Sequence, residues 1–171
     1  MRARSVWTLL IVGVTVGTLS CDKVSFPTPA PQEEFRASLA GANEAPTPVA
    51  ASGSGTAIFA VTLDTFFAFR LDVVGIDSPT VAHIHDGAAG VPGPIIVTLY
   101  AGPTRGLTYG GALGQDQLTP SRFTQLPAGY GATPRARFDS LLALMRTGGV
   151  YVNVHSRSNP GGHMRGQVQP Q

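Results

Sequence analysis

The 171-residue chain carries 12 basic and 10 acidic residues, four histidines and a single cysteine. That length accommodates one domain with its own core and not two comfortable ones. A lone cysteine excludes an internal disulfide, and near-balanced charge with one lysine gives no electrostatic reason for a nucleic-acid partner.

In chain order, Met1 to Ser20 reads as a signal peptide. Arg2 and Arg4 give a positive start, Val6 to Leu19 is apolar, and small Ser20 precedes Cys21. The apolar run is too short for the roughly 20 residues of a bilayer-spanning helix. Cys21 stands where a bacterial lipoprotein signal places the residue that is acylated, so the expected partner is a membrane, reached through a lipid anchor at Cys21. The expected location is the cell envelope, or the exterior if the signal is simply cleaved. Residues 21–34 are polar and rich in proline, the composition of an extended tether. Residues 35–171 form the expected domain.

Within it, alternation of apolar residues predicts strands at Phe35–Gly41, Thr56–Leu63 and Phe67–Val73, with Asp64 and Thr65 as a hairpin turn. Further strands are expected at Val81–His85, Ile95–Tyr100, Val150–His155 and His163–Val168, each bounded by Gly or Pro clusters. Phe138, Leu141, Leu142 and Met145 fall at helical spacing, with Gly148 as a stop, and predict one short helix that caps a core. The expected fold class is mainly β, an antiparallel Greek-key-like β-sandwich with one short helix near the C-terminal third.

All four histidines lie in strand-like segments. In VAHIH the period of two puts His83 and His85 on one face and Ala82 and Ile84 on the other; in VYVNVH it groups Tyr151, Asn153 and His155. Paired imidazoles on one strand face can offer two nitrogens to a transition metal, copper or zinc, with His155 as the first candidate for a third ligand and His163 as the second. Asp86 is placed to orient a ligating ring. The same histidines could instead bond to loop carbonyls and hold the DGAAGVPGP turn, with Asn153, Arg157 and Asn159 filling the space between them. No nucleophile elbow or phosphate-binding loop is present, and the aspartates at strand ends read as turn residues.

Taken together, FRASLAGANEAP, the G-x-G-x-A-x-F segment GSGTAIF, AHIHDGAAGVPGPIIVTL and GGVYVNVHSRSNPGGHMRGQV resemble the CHRD domain first described in chordin, over Phe35 to Val168. The sequence departs from that pattern at His163, where the family usually carries Glu. The resemblance implies an exported accessory or binding module with an unassigned protein or small-molecule partner, and does not imply an enzyme. A looser similarity is to copper/zinc superoxide dismutase, also a Greek-key sandwich with a His-x-His strand and a late Val-His. That parallel implies His83, His85 and His155 as copper ligands and Arg165 as an anion-steering charge in a mononuclear redox enzyme. It lacks a bridging histidine and zinc ligands between Asp86 and Tyr151, and it lacks the disulfide.

Overall fold

The computed structural model describes residues 33–62, 66–125 and 128–171. The signal segment, Cys21 and most of the tether lie outside the described residues, as do Asp64 and Thr65 of the expected turn.

Among the described residues, nine antiparallel strands make two sheets. The first has the order β6 (Thr108–Leu118), β3 (Phe66–Asp77), β2 (Ser54–Thr62), β1 (Glu33–Leu39) and β9 (Gln169–Pro170). The second runs β5 (Ile95–Tyr100), β4 (Pro79–Asp86), β7 (Val150–Ser156), β8 (Met164–Gln167). This is the expected β-sandwich. Alternation decides which face is buried: Phe35, Phe59 and Phe69 are in register across β1, β2 and β3, and all three are buried. Opposite them, Ala82 and Ile84 of β4, Val150, Val152 and Val154 of β7, and Met164 of β8 complete one continuous core.

The two sheets meet backbone to backbone along one edge. Ala40 N–H donates to the Arg165 carbonyl at 3.1 Å and Arg165 N–H returns a bond to Ala40 at 3.2 Å. Gly166 makes that approach possible, because a Cβ there would lie 2.5 Å from the Ser38 carbonyl oxygen.

The helix α1 spans Pro134–Arg146. Thr133 caps it, its hydroxyl accepting from Ala136 N–H at 3.1 Å, and Pro134 occupies the first turn, where its missing N–H costs nothing. Its stripe of Phe138, Leu141, Leu142 and Met145 is buried as expected, with Phe138 against Phe67 at 4.5 Å between ring centroids. Burying each such side chain contributes about 2–3 kcal/mol.

Two expectations differ from the structure. β1 begins at Glu33, two residues into the expected tether, and Glu33 is held by an ion pair to Arg146 at the end of α1. β6 was not expected at all: Thr108 to Leu118 carries three glycines and little alternation, yet it pairs along the length of β3. Tertiary pairing overrides a weak local preference there.

Candidate metal centre

β7 lies between β4 and β8 and is buried on both faces. Its inner face is valine. Its outer face, Tyr151, Asn153 and His155, continues across β4 as His83 and His85 and across β8 as Arg165 and Gln167. The pairings Val81↔His155, His83↔Asn153 and His85↔Tyr151 put His155 diagonally across from His83 on the shared face. The three imidazoles therefore cluster, with ring centroids 5.3 Å apart for His83 and His155, 5.7 Å for His83 and His85, and 6.4 Å for His85 and His155. Each residue places one ligand nitrogen within 4.8 Å of the others, and no carboxylate or thiol joins the group among the described residues.

Hydrogen bonds fix which nitrogen faces inward. His85 Nδ1 lies 2.9 Å from the Gly93 carbonyl, and His155 Nδ1 lies 2.9 Å from the Pro160 carbonyl. A carbonyl only accepts, so both Nδ1 atoms carry the proton and both Nε2 atoms present a lone pair. Those two Nε2 atoms and His83 Nδ1 are buried and without a hydrogen-bond partner. Three unpaired polar nitrogens at one place are costly, about 1–3 kcal/mol each.

Charge is held off this cluster. Burial, with the neighbouring His155 and His85, pushes His83 down to about 4 from its ordinary 6.5. His85 is also lowered, chiefly by burial, while its bond to Gly93 acts in the opposite direction. Both rings are thus neutral at pH 7, the protonation state a metal ligand requires.

A stack of side chains supports the cluster from the β8 side. Tyr151 lies parallel to His85, with centroids 4.8 Å apart and a 12° interplanar angle, and the Arg165 guanidinium sits 3.3 Å from the Tyr151 ring centroid. The same residues pin the loop between β4 and β5. Arg165 donates to the carbonyls of Ala88 at 2.8 Å and Val91 at 3.0 Å, Gln167 donates to Gly87 at 2.9 Å, and Tyr151 OH accepts from Gly93 N–H at 3.1 Å. Gly93 has no room for a side chain, since a Cβ would lie 1.5 Å from the Asp86 carbonyl oxygen.

The family model of the CHRD domain matches residues 35–168, almost the whole described region. The chain belongs to the CHRD domain family. No curated protein and no solved structure matches it.

In this CHRD domain the histidines do bond to loop carbonyls, as one of the two readings expects. His85 and His155 each spend one nitrogen on a loop carbonyl and keep the other free. Asn153 does not fill the space between them; its amide donates to the Glu44 carboxyl at 3.0 Å and 3.2 Å. Asn159 turns instead to His163 Nδ1 at 3.2 Å.

His163 lies apart from the other three histidines. It is 3% exposed, its Nε2 bonds to the Ser52 carbonyl at 2.9 Å, and its Nδ1 is met by Ser156 Oγ at 2.9 Å. Both nitrogens are committed, so at the position where the chain departs from the family pattern the imidazole ties β8 to the segment before β2. Asp86 does not orient a ligating ring: Tyr130 OH donates to its Oδ2 at 2.5 Å, and burial together with that carboxylate pushes the Tyr130 phenol up to about 12. Arg165 is 2% exposed and donates to two carbonyls. The His85 bond to Gly93 is the expected hold on the DGAAGVPGP turn, whereas the sequence carried no signal for the Pro160 carbonyl or for the Tyr151 stack.

Proposed function

We propose that this protein is an exported, lipid-anchored CHRD module that works by binding rather than catalysis, and that it holds a copper or zinc ion through His83, His85 and His155. The observation that carries the reading is the set of three buried, unpartnered imidazole nitrogens, two of them oriented by backbone carbonyls on the opposite side of the ring. Orientation of a ligating histidine through its far nitrogen is how metal sites fix tautomer and direction. Three donors on one ion at about 2.0 Å stand about 3.3–3.5 Å from one another, so binding draws the rings slightly inward.

Two features favour holding over turnover. The donor nitrogens are closed to solvent, whereas a catalytic ion keeps an open position. Arg165, the residue a dismutase-like reading would use to guide an anion, is sequestered under the loop.

Export and anchoring rest on Arg2, Arg4, the apolar run to Leu19, and Cys21. An ion held on a tethered domain outside the cytoplasm suits storage or delivery at the envelope. The test is elemental analysis of the full-length protein purified from membranes of its own host without added metal. About one copper or zinc per chain supports the reading, and metal at background level in protein that is folded contradicts it.

A further inference from the structure

We propose that the tri-imidazole centre selects monovalent copper, held by three nitrogens with neither a carboxylate nor a solvent ligand. This rests on the reading of His83, His85 and His155 as metal ligands and adds the identity and charge of the ion.

The first argument is the charge of the donor set. Three neutral imidazoles bring no negative charge, and no carboxylate or thiol joins them among the described residues. The two carboxyls bordering this face are engaged elsewhere, Asp86 with Tyr130 and Glu44 with Asn153. An ion placed here receives no charge from its own donors, in a partly buried site where desolvation rises steeply with charge.

The second argument is the neighbouring cation. The Arg165 guanidinium stacks on Tyr151, and Tyr151 stacks on His85, so a permanent positive charge stands one ring away from a ligand. It is 2% exposed, and the Glu44 carboxyl offsets part of its charge. Repulsion from that charge is twice as large for a divalent ion as for a monovalent one.

The third argument is coordination number. Zinc and divalent copper take four or more ligands, and with three protein donors the fourth is water or substrate in an open position. Here the three nitrogens are each closed to solvent, on side chains that are themselves only partly buried. Monovalent copper is the imidazole-binding ion that is content with three ligands in a plane and needs no fourth.

The experiment uses the mature protein stripped of metal. Under anaerobic conditions, Cu(I) is titrated against a chromophoric Cu(I) chelator, and Cu(II) and Zn(II) are titrated separately against chelators of known affinity. The expected result is one Cu(I) per chain, bound about 100-fold or more tighter than either divalent ion, with X-ray absorption showing three nitrogen neighbours at about 2.0 Å. Divalent copper or zinc bound as tightly as Cu(I), or a four-coordinate Cu(I), overturns the inference and leaves the metal-binding reading standing. Failure of all three ions to bind overturns both.

Discussion

Tyr151 lies flat against His85, 4.8 Å between centroids, while its hydroxyl accepts the backbone N–H of Gly93, whose carbonyl in turn accepts from His85 Nδ1. One tyrosine on β7 therefore fixes the plane of the imidazole and the loop that orients it. Tyr151→Phe keeps the ring and loses the hydroxyl, which leaves the Gly93 N–H without its partner. The expected cost is about 1 kcal/mol in denaturant unfolding, with metal affinity reduced several-fold. Tyr151→Leu removes the stack as well and is expected to weaken metal binding further than Phe does. Equal metal affinity in all three proteins contradicts the positioning role.

Gly93→Ala tests the same loop from the other side. The new Cβ cannot sit 1.5 Å from the Asp86 carbonyl oxygen, so the loop must move and the Gly93 carbonyl leaves His85. Metal affinity is expected to fall about 10- to 100-fold, the usual size of losing a partner that orients a ligand. The β-sheet circular dichroism is expected to persist. Unchanged affinity shows that the carbonyl does not orient the ring.

The unpaired nitrogens make an unusual prediction about the metal-free protein. His83→Leu replaces a half-buried ring whose buried Nδ1 has no partner. The metal-free variant is expected to be as stable as the wild type or more so, by up to about 1 kcal/mol. Added metal is expected to raise the melting temperature of the wild type alone. A variant much less stable than the metal-free wild type marks His83 as a structural residue.

The pH dependence of the metal-free domain has a definite sign. An unfolded histidine titrates at its ordinary 6.5 and His83 in the fold at about 4, so between these values the unfolded chain binds more protons. Stability is full above pH 6.5 and is lost as pH falls toward 4. His85 is lowered as well and acts in the same direction. Since His83 is half-buried, solvent screening limits its share to on the order of 1 kcal/mol. Urea midpoints at neutral and mildly acid pH check this, and the slope is expected to flatten in His83→Leu. An equal slope in both proteins assigns it to other groups.

Much of this was legible in the sequence. Period-two alternation gave the faces of β1, β2, β4 and β7 correctly, because each has one face against the core, and it made His155 a candidate neighbour of His83 and His85, which the pairing of β4 with β7 brings about. β6 was illegible for the opposite reason: Gly110, Gly111 and Gly114 carry no side chain to alternate, and its place is set by pairing with β3. His163 shared the spacing of a ligand, and only the fold shows that Ser52 and Ser156 take both its nitrogens. Glu44 illustrates the same limit. It lies 109 residues from Asn153 in sequence, and its burial, which raises its pKa, comes from packing that no local pattern encodes.

The anchor has its own test. Cys21→Ser is expected to move the protein from the membrane fraction to the soluble exported fraction, because a signal that can no longer be acylated leaves nothing to hold it there. Unchanged fractionation contradicts the anchor while leaving the domain's binding role untouched.

The most direct measurement of the central claim is calorimetric titration of the metal-stripped domain and of His83→Gln, His85→Gln and His155→Gln, with His163→Gln as a comparison. The account predicts one ion per chain in the wild type, loss of that binding in each of the first three variants, and its retention in His163→Gln if that variant stays folded. Binding that survives loss of His83, His85 or His155, or no binding to the wild type at all, would contradict it.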